Sequence, residues 1–245
     1  MPSIDRCEPG SGGNEHRLDP EGTSAIPVSL GELRVLASDP HRDPPEWIAI
    51  DKPSGWHSIE SSRGDGGPSV ETLLRASWSP LRDLEEGGLV HRLDRETSGA
   101  MLVATSARAR ERLRRAITDG SIGKTYLAAV SADAPLAASG EFRLRFSSRY
   151  RRSAKVTVRE HGEGEEGVCR WRTVSVEDAR RFLEVELIGP GRRHQIRAGF
   201  AHLGAALAGD ALYGGAVASR LALHATRVVI EGAVVTSPRP SGFGA

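Results

Sequence analysis

Asp94 lies between two arginines, Arg92 and Arg95, in the run His91-Arg92-Leu93-Asp94-Arg95-Glu96-Thr97-Ser98-Gly99. Guanidinium groups within a few Å lower a carboxyl pKa, so this spacing favours an ionised Asp94. An ionised carboxylate at a strand edge can act as a nucleophile, where a protonated one would donate a proton. A surface Asp in an ordinary ion pair has the same neighbours, so the run needs a second group before it is a site. Farther along, Gly189-Pro190-Gly191 leads into a stretch with Arg192, His194, Gln195 and Arg197. His202 and Gly209-Asp210-Ala211-Leu212-Tyr213-Gly214 follow. Arginines beside the free N–H groups of a helix start suit a phosphate or a carboxylate.

The elements that must hold these groups are legible as patterns. Lys124-Thr125-Tyr126-Leu127-Ala128-Ala129-Val130 alternates as a strand and presents Tyr126. Trp47-Ile48-Ala49-Ile50 reads as a buried strand running into the Lys52-Pro53-Ser54-Gly55 turn, and Ala100-Met101-Leu102-Val103-Ala104 as another strand. Further strands are expected near 123–131, 141–146, 154–159, 168–176, 181–188 and 222–231, with helices over 68–77, 106–118 and 193–203. Ser106 fits a helix cap, with Gly120 just past the far end. The order does not repeat β-α-β units, which points to an α+β domain rather than a doubly wound sheet.

Composition narrows the class. The 245 residues are 38% hydrophobic and 27% charged, with no apolar run long enough for a membrane span. The start lacks the basic-then-apolar order of a signal peptide, and two cysteines, Cys7 and Cys169, make no disulfide framework, so a cytoplasmic protein is expected. A net charge of +1 argues against a nonspecific coat on nucleic acid, yet Arg143 to Arg159 holds seven basic residues and no acid. Such a stripe can grip an RNA backbone, or can simply be a solvated pair of strands.

Four pieces in this order resemble the signatures of the RluA-type family of RNA pseudouridine synthases: a Lys-Pro-x-Gly turn, a His-Arg-Leu-Asp-x-x-Thr-Ser-Gly loop, a Tyr-x-Ala strand and a Gly-Arg-x-His-Gln-Ile-Arg segment. Leu221-Ala222-Leu223-His224-Ala225 is similar to the family's C-terminal strand, so the resemblance runs over roughly 46–230. It implies a mixed, largely antiparallel β-sheet with flanking helices and a central catalytic cleft. It also implies isomerisation of uridine to pseudouridine in rRNA or tRNA, without cofactor or metal. By the same resemblance Asp94, Tyr126 and Arg197 are catalytic. Arg92 would fill the gap left by a flipped nucleotide, while Arg192, His194 and Gln195 would contact phosphate or support the helix of Arg197.

The chain departs from that pattern at Ala198-Gly199, at Ala205-Ala206 and over Trp56-His57-Ser58-Ile59-Glu60, none of which removes a proposed catalytic group. Residues 1–25 are expected to be disordered, 26–45 to be a lead-in with one short strand or turn, and 46–245 to form a single catalytic domain, without an S4-type domain. A monomer with no obligate protein partner is expected. Two readings of other kinds stay open: a catalytically inactive RNA-binding relative, and a glycosidic-bond hydrolase, which would need a second carboxylate. His91, His194, His202 and His224 lack compact ligand spacing, which disfavours a metal.

Overall fold

The computed structural model describes residues 29–61, 66–148 and 153–245. The tail expected over 1–25, part of the loop after Ser61, and Arg149, Arg151 and Arg152 of the basic stripe lie outside the described residues. In chain order the first elements are β1 (Ser29–Leu30), β2 (Leu33–Ser38), β3 (Trp47–Lys52), α1 (Val70–Ser77), β4 (Ser98–Ala104) and α2 (Ala107–Thr118). There follow β5 (Gly123–Ser131), β6 (Ser139–Ser147), β7 (Thr157–Arg159), β8 (Glu165–Glu177) and β9 (Arg180–Ile188). The chain closes with α3 (Gln195–His202), β10 (Leu223–Ile230) and β11 (Ala233–Thr236).

The strands make one sheet in the order β1-β2-β3-β4-β10-β5-β9-β8-β6-β7, with β11 paired to β10. Every pairing is antiparallel except β4 with β10. This is the mixed, largely antiparallel α+β sheet expected. Strands β3 and β4 are apolar at nearly every position because both faces of the sheet are covered. Trp47, Ala49, Ala100 and Leu102 pack under Leu113 and Ile117 of α2. Ile48, Ile50, Met101 and Val103 turn to the other face, with Leu74 of α1 and Phe200 of α3.

Local chemistry sets the ends. The side chain of Ser106 caps α2 by accepting the Ala109 N–H, and Ser69 does the same for α1 with Thr72. Gly99 has φ +113, and a Cβ there would stand 2.3 Å from the Ala225 carbonyl oxygen. Only glycine lets β4 approach β10 this closely, directly after the Asp94 loop.

Three features differ from the sequence expectations. Residues 29–38, in the lead-in where one short strand or turn was expected, form the β1–β2 hairpin, which extends the sheet edge. β11 was not anticipated. Its signal was the Glu231-Gly232 pair, whose φ values of 49 and 82 make the tight turn a hairpin needs between two alternating runs. Helix α3 starts at Gln195 rather than 193, because His194 adopts a left-handed φ of 53 and breaks the helical register.

Candidate active site

The Asp94 loop is irregular and is held from below. Lys52, buried at the end of β3, donates from Nζ to the carbonyls of Pro53, Arg95 and Thr97 at 2.9, 3.0 and 2.7 Å. Gly55 N–H donates to the Arg95 carbonyl at 2.8 Å, and the Ser54 hydroxyl donates to the Glu96 carbonyl at 2.7 Å. Leu93, just before the carboxylate, both donates to and accepts from the buried Ser58 hydroxyl. The turn at 52–55 therefore works as a clamp on residues 95–97. Burial pulls the Lys52 pKa down to about 7, against the fields of Asp94 and Glu96.

Arg197 projects from the first turn of α3. Its Nε and Nη2 donate to Oδ2 and Oδ1 of Asp210 at 2.8 and 2.9 Å, a two-point grip on a carboxylate with no solvent exposure. Its Nη1 donates to Asp94 Oδ2 at 3.2 Å, and Glu96 Oε2 stands 3.7 Å away. Burial opposes the charge on Arg197, but the hydrogen bonds to Asp210 and the field of Asp94 outweigh it and raise the pKa above that of free arginine. A cavity of about 540 Å³ opens over the pair. All seven residues expected at the site, Arg92, Asp94, Tyr126, Arg192, His194, Gln195 and Arg197, line it.

Their environments differ. Tyr126, on β5, is almost fully buried at the cavity wall, and burial together with nearby Asp94 pushes its pKa above the usual phenol value. Arg92 is exposed and makes no hydrogen bond or ion pair with the described residues, so its guanidinium is available. Arg192 is partly committed: Nε donates to the Glu166 carbonyl at 2.8 Å and Nη1 to Glu165 at 3.1 Å. Gln195 faces inward. Its Oε1 accepts the Arg192 N–H at 2.8 Å and its Nε2 donates to the Val168 carbonyl at 3.0 Å, so it braces the start of α3 and offers nothing to a phosphate. His194 immediately precedes α3, with Nδ1 2.9 Å from the Tyr213 hydroxyl and Nε2 3.9 Å from Asp94 Oδ1.

Sequence reasoning gave no role to Lys52, Lys124, Asp210 or Tyr213. Asp210 was detectable only as an acid in an Ala/Gly-rich loop, and nothing in that composition marks it as buried. Lys124 shares the Tyr126 face of β5; burial pulls its pKa down to about 8, and its Nζ donates to the Gly189 carbonyl at 3.4 Å. Of the basic stripe, Arg143 pairs with Glu166 at 2.6 Å and Arg159 donates to Ser147 at 3.1 Å, so these two are partly engaged within the protein. No group of three or more metal-ligating side chains gathers among the described residues.

A family model described as RNA pseudouridylate synthase matches residues 46–202. Ribosomal large subunit pseudouridine synthase D of Xanthomonas campestris is 34% identical over 80% of this chain and 55% of its own length. An uncharacterized RNA pseudouridine synthase of Bacillus subtilis, YhcT, is 31% identical over 85% of this chain and 67% of its own. The chain thus spans about half the length of the first of these curated relatives. Among solved structures, human RNA pseudouridylate synthase domain containing 4 superposes with a TM-score of 0.66 at 18% identity. That match covers 85% of this chain and 89% of the human one, and it shows a shared fold.

Proposed function

Because the chain belongs to the RNA pseudouridylate synthase family, we propose that it converts specific uridines of structured RNA into pseudouridine, with Asp94 as the reactive carboxylate. The observation that carries this reading is the contact of Arg197 Nη1 with Asp94 Oδ2 at 3.2 Å on the floor of an open cavity. The reaction breaks the ribose C1′–N1 bond, turns the uracil and joins C5 to C1′. The C5 proton leaves as N1 gains one, so there is no redox change, no net proton change and no need of a cofactor. Whether Asp94 attacks C1′ or first takes the C2′ proton, the carboxylate must face the sugar, and Arg197 fixes it there.

Tyr126 offers its ring to the displaced uracil. A phenol with a raised pKa begins protonated, so its hydroxyl receives the C5 proton only by passing on its own. Arg92, uncommitted at the rim, has the planar cation that can replace a flipped base, an exchange that offsets an unstacking cost of roughly a few kcal/mol. The relatives named for the ribosomal large subunit favour rRNA over tRNA as the substrate. A buried free thiol at Cys169 accords with a reducing cytoplasm, and we read the protein as a monomer. A hydrolase is less well served: Asp210 is consumed by Arg197 and Glu96 is half-exposed and drawn to the same guanidinium, so neither of these carboxyls is set up as an acid.

The test is incubation with uridine-labelled rRNA and tRNA, followed by digestion to nucleosides. Pseudouridine is expected. Released uracil would indicate the hydrolase, and tight binding with unchanged uridine the inactive relative. Asp94→Asn is expected to abolish turnover while RNA affinity stays within about tenfold, because the phosphate-binding cations remain. Loss of both together would assign Asp94 a structural role.

A further inference from the structure

The Tyr213 hydroxyl stands between two partners. It accepts the backbone N–H of Val156 at 3.0 Å and lies 2.9 Å from His194 Nδ1. Across the same imidazole, Nε2 faces Asp94 Oδ1 at 3.9 Å. A backbone amide can only donate, so the phenol oxygen accepts there and its own proton is free to point at Nδ1. A neutral imidazole that accepts at Nδ1 carries its hydrogen on Nε2. Burial first, and then Arg197 and Arg193, favour the neutral ring over the pull of Asp94.

We propose that Tyr213 is a positioning residue: it locks His194 as the Nε2–H tautomer and aims that hydrogen at the free oxygen of Asp94, whose other oxygen is held by Arg197. This rests on the reading of Asp94 as the reactive group. Tyr213 is itself fixed to the catalytic ion pair. Its N–H donates to Asp210 Oδ1 at 3.2 Å, and the Arg197 guanidinium lies over its ring at 5.6 Å. The imidazole meets the phenol ring edge-on, and the left-handed backbone of His194 turns the side chain back toward the cavity. At 3.9 Å the Nε2–Oδ1 approach is longer than a hydrogen bond. Such contacts in unliganded sites commonly shorten when substrate is bound.

The chain has a second end. Val156 belongs to the segment before β7, which Arg193 also holds by donating to the carbonyls of Ser153 and Ala154 at 2.5 Å. Lys155 in that segment stands 6.0 Å from the Tyr213 ring centre. The placement of 153–156 is therefore passed through one hydroxyl and one imidazole to the carboxylate.

The experiment is a long-range proton–nitrogen spectrum of the full chain labelled with ¹⁵N-histidine, with His194→Gln used to assign the signal. The wild type is expected to show His194 neutral and protonated at Nε2. Tyr213→Phe, which keeps the ring and loses the hydroxyl, is expected to show mixed tautomers. In pseudouridine formation the same variant should lose at least about tenfold in kcat, the worth of one hydrogen bond to a charged group, with KM for RNA unchanged. An Nδ1–H ring in the wild type overturns the proposal without any variant. So does an unchanged ring in Tyr213→Phe, or a KM effect with kcat intact. A wild-type ring of the expected form in a protein that makes no pseudouridine would count against the proposed activity, leaving the tautomer assignment standing.

Discussion

Arg110 of α2 and Arg197 of α3 are buried to nearly the same degree, 7% and 5% exposed, and each faces two or more carboxylates. The arrangements diverge in what is left over. Arg110 uses all its faces: Nη1 on Glu85 at 2.6 Å, Nη2 on Glu86 at 2.8 Å and Nε on the Leu89 carbonyl at 3.0 Å. Its acids lie at the surface, where Glu85 is largely in water. Arg197 spends two donors on Asp210, which is sealed, and keeps the third for Asp94, which is partly open. Among the described residues nothing donates a hydrogen bond to Asp94 Oδ1. A buried arginine is thus no mark of a site. The mark is a carboxylate that a guanidinium holds by one oxygen only, with the other turned to a cavity.

That contrast can be broken most severely at Asp210. Asp210→Asn leaves the Arg197 charge buried against a neutral amide, and breaking a buried pair in this way costs about 3–5 kcal/mol. Urea unfolding should show that loss together with lost turnover. A variant of wild-type stability would mean that Asp94 alone satisfies Arg197.

Arg110→Met should do less. It removes three hydrogen bonds but leaves its acids free to hydrate, so the cost should be about 1–3 kcal/mol, chiefly from the stranded Leu89 carbonyl. Turnover of the folded protein should match wild type. A loss of activity larger than the loss of folded protein would show that Arg110 itself takes part in the site, beyond the wall that Arg114, Ile117 and Thr118 of α2 give the cavity, and would erase the difference between the two arginines.

The smallest effect concerns pH. His91, at the head of the Asp94 loop, accepts the Leu102 N–H at 3.1 Å, and burial, helped by Lys124, lowers its pKa to about 3. The unfolded ring takes up its proton near pH 6.5, so between that pH and 3 the unfolded state binds more protons than the folded one. The stability that His91 contributes is complete above pH 6.5 and is lost as pH falls through that window. His91→Gln should flatten the fall of stability between pH 6 and 4. An unchanged slope would assign acid sensitivity to the carboxylates instead.

Much of this was readable before any coordinates. Strands β3, β4, β5 and β9 announce themselves by apolar runs or clean alternation, and the Ser106 cap and Gly120 stop bracket α2, because these are local preferences of the backbone. The β1–β2 hairpin was harder: its strands are short, and tertiary contacts stabilise them, the pairing to β3 and the burial of Leu30 and Leu33 in the core beside α1. The helical reading at 193 failed for a related reason. The pattern there is compatible with helix, but the contacts of the His194 ring with Tyr213 and the bracing of Arg192 by Gln195 accompany a left-handed turn, and tertiary contact overrides propensity.

The residue types needed for chemistry at a ribose, and the spacing that groups them into short runs, were present in the chain alone, as was the alternation that builds a sheet. What the chain alone could not say was that Asp210 is the anchor and Asp94 the one left partly open. The arginine-flanked motif marks Asp94 as the reactive candidate, but nothing in the sequence says that Asp210 is the acid to be buried. Only the crossing of α3 over the loop at β4 decides it, by burying one carboxylate completely and leaving the other at the cavity. In water the two would be equivalent, and the difference comes from desolvation, a property of the packed structure and not of the residue.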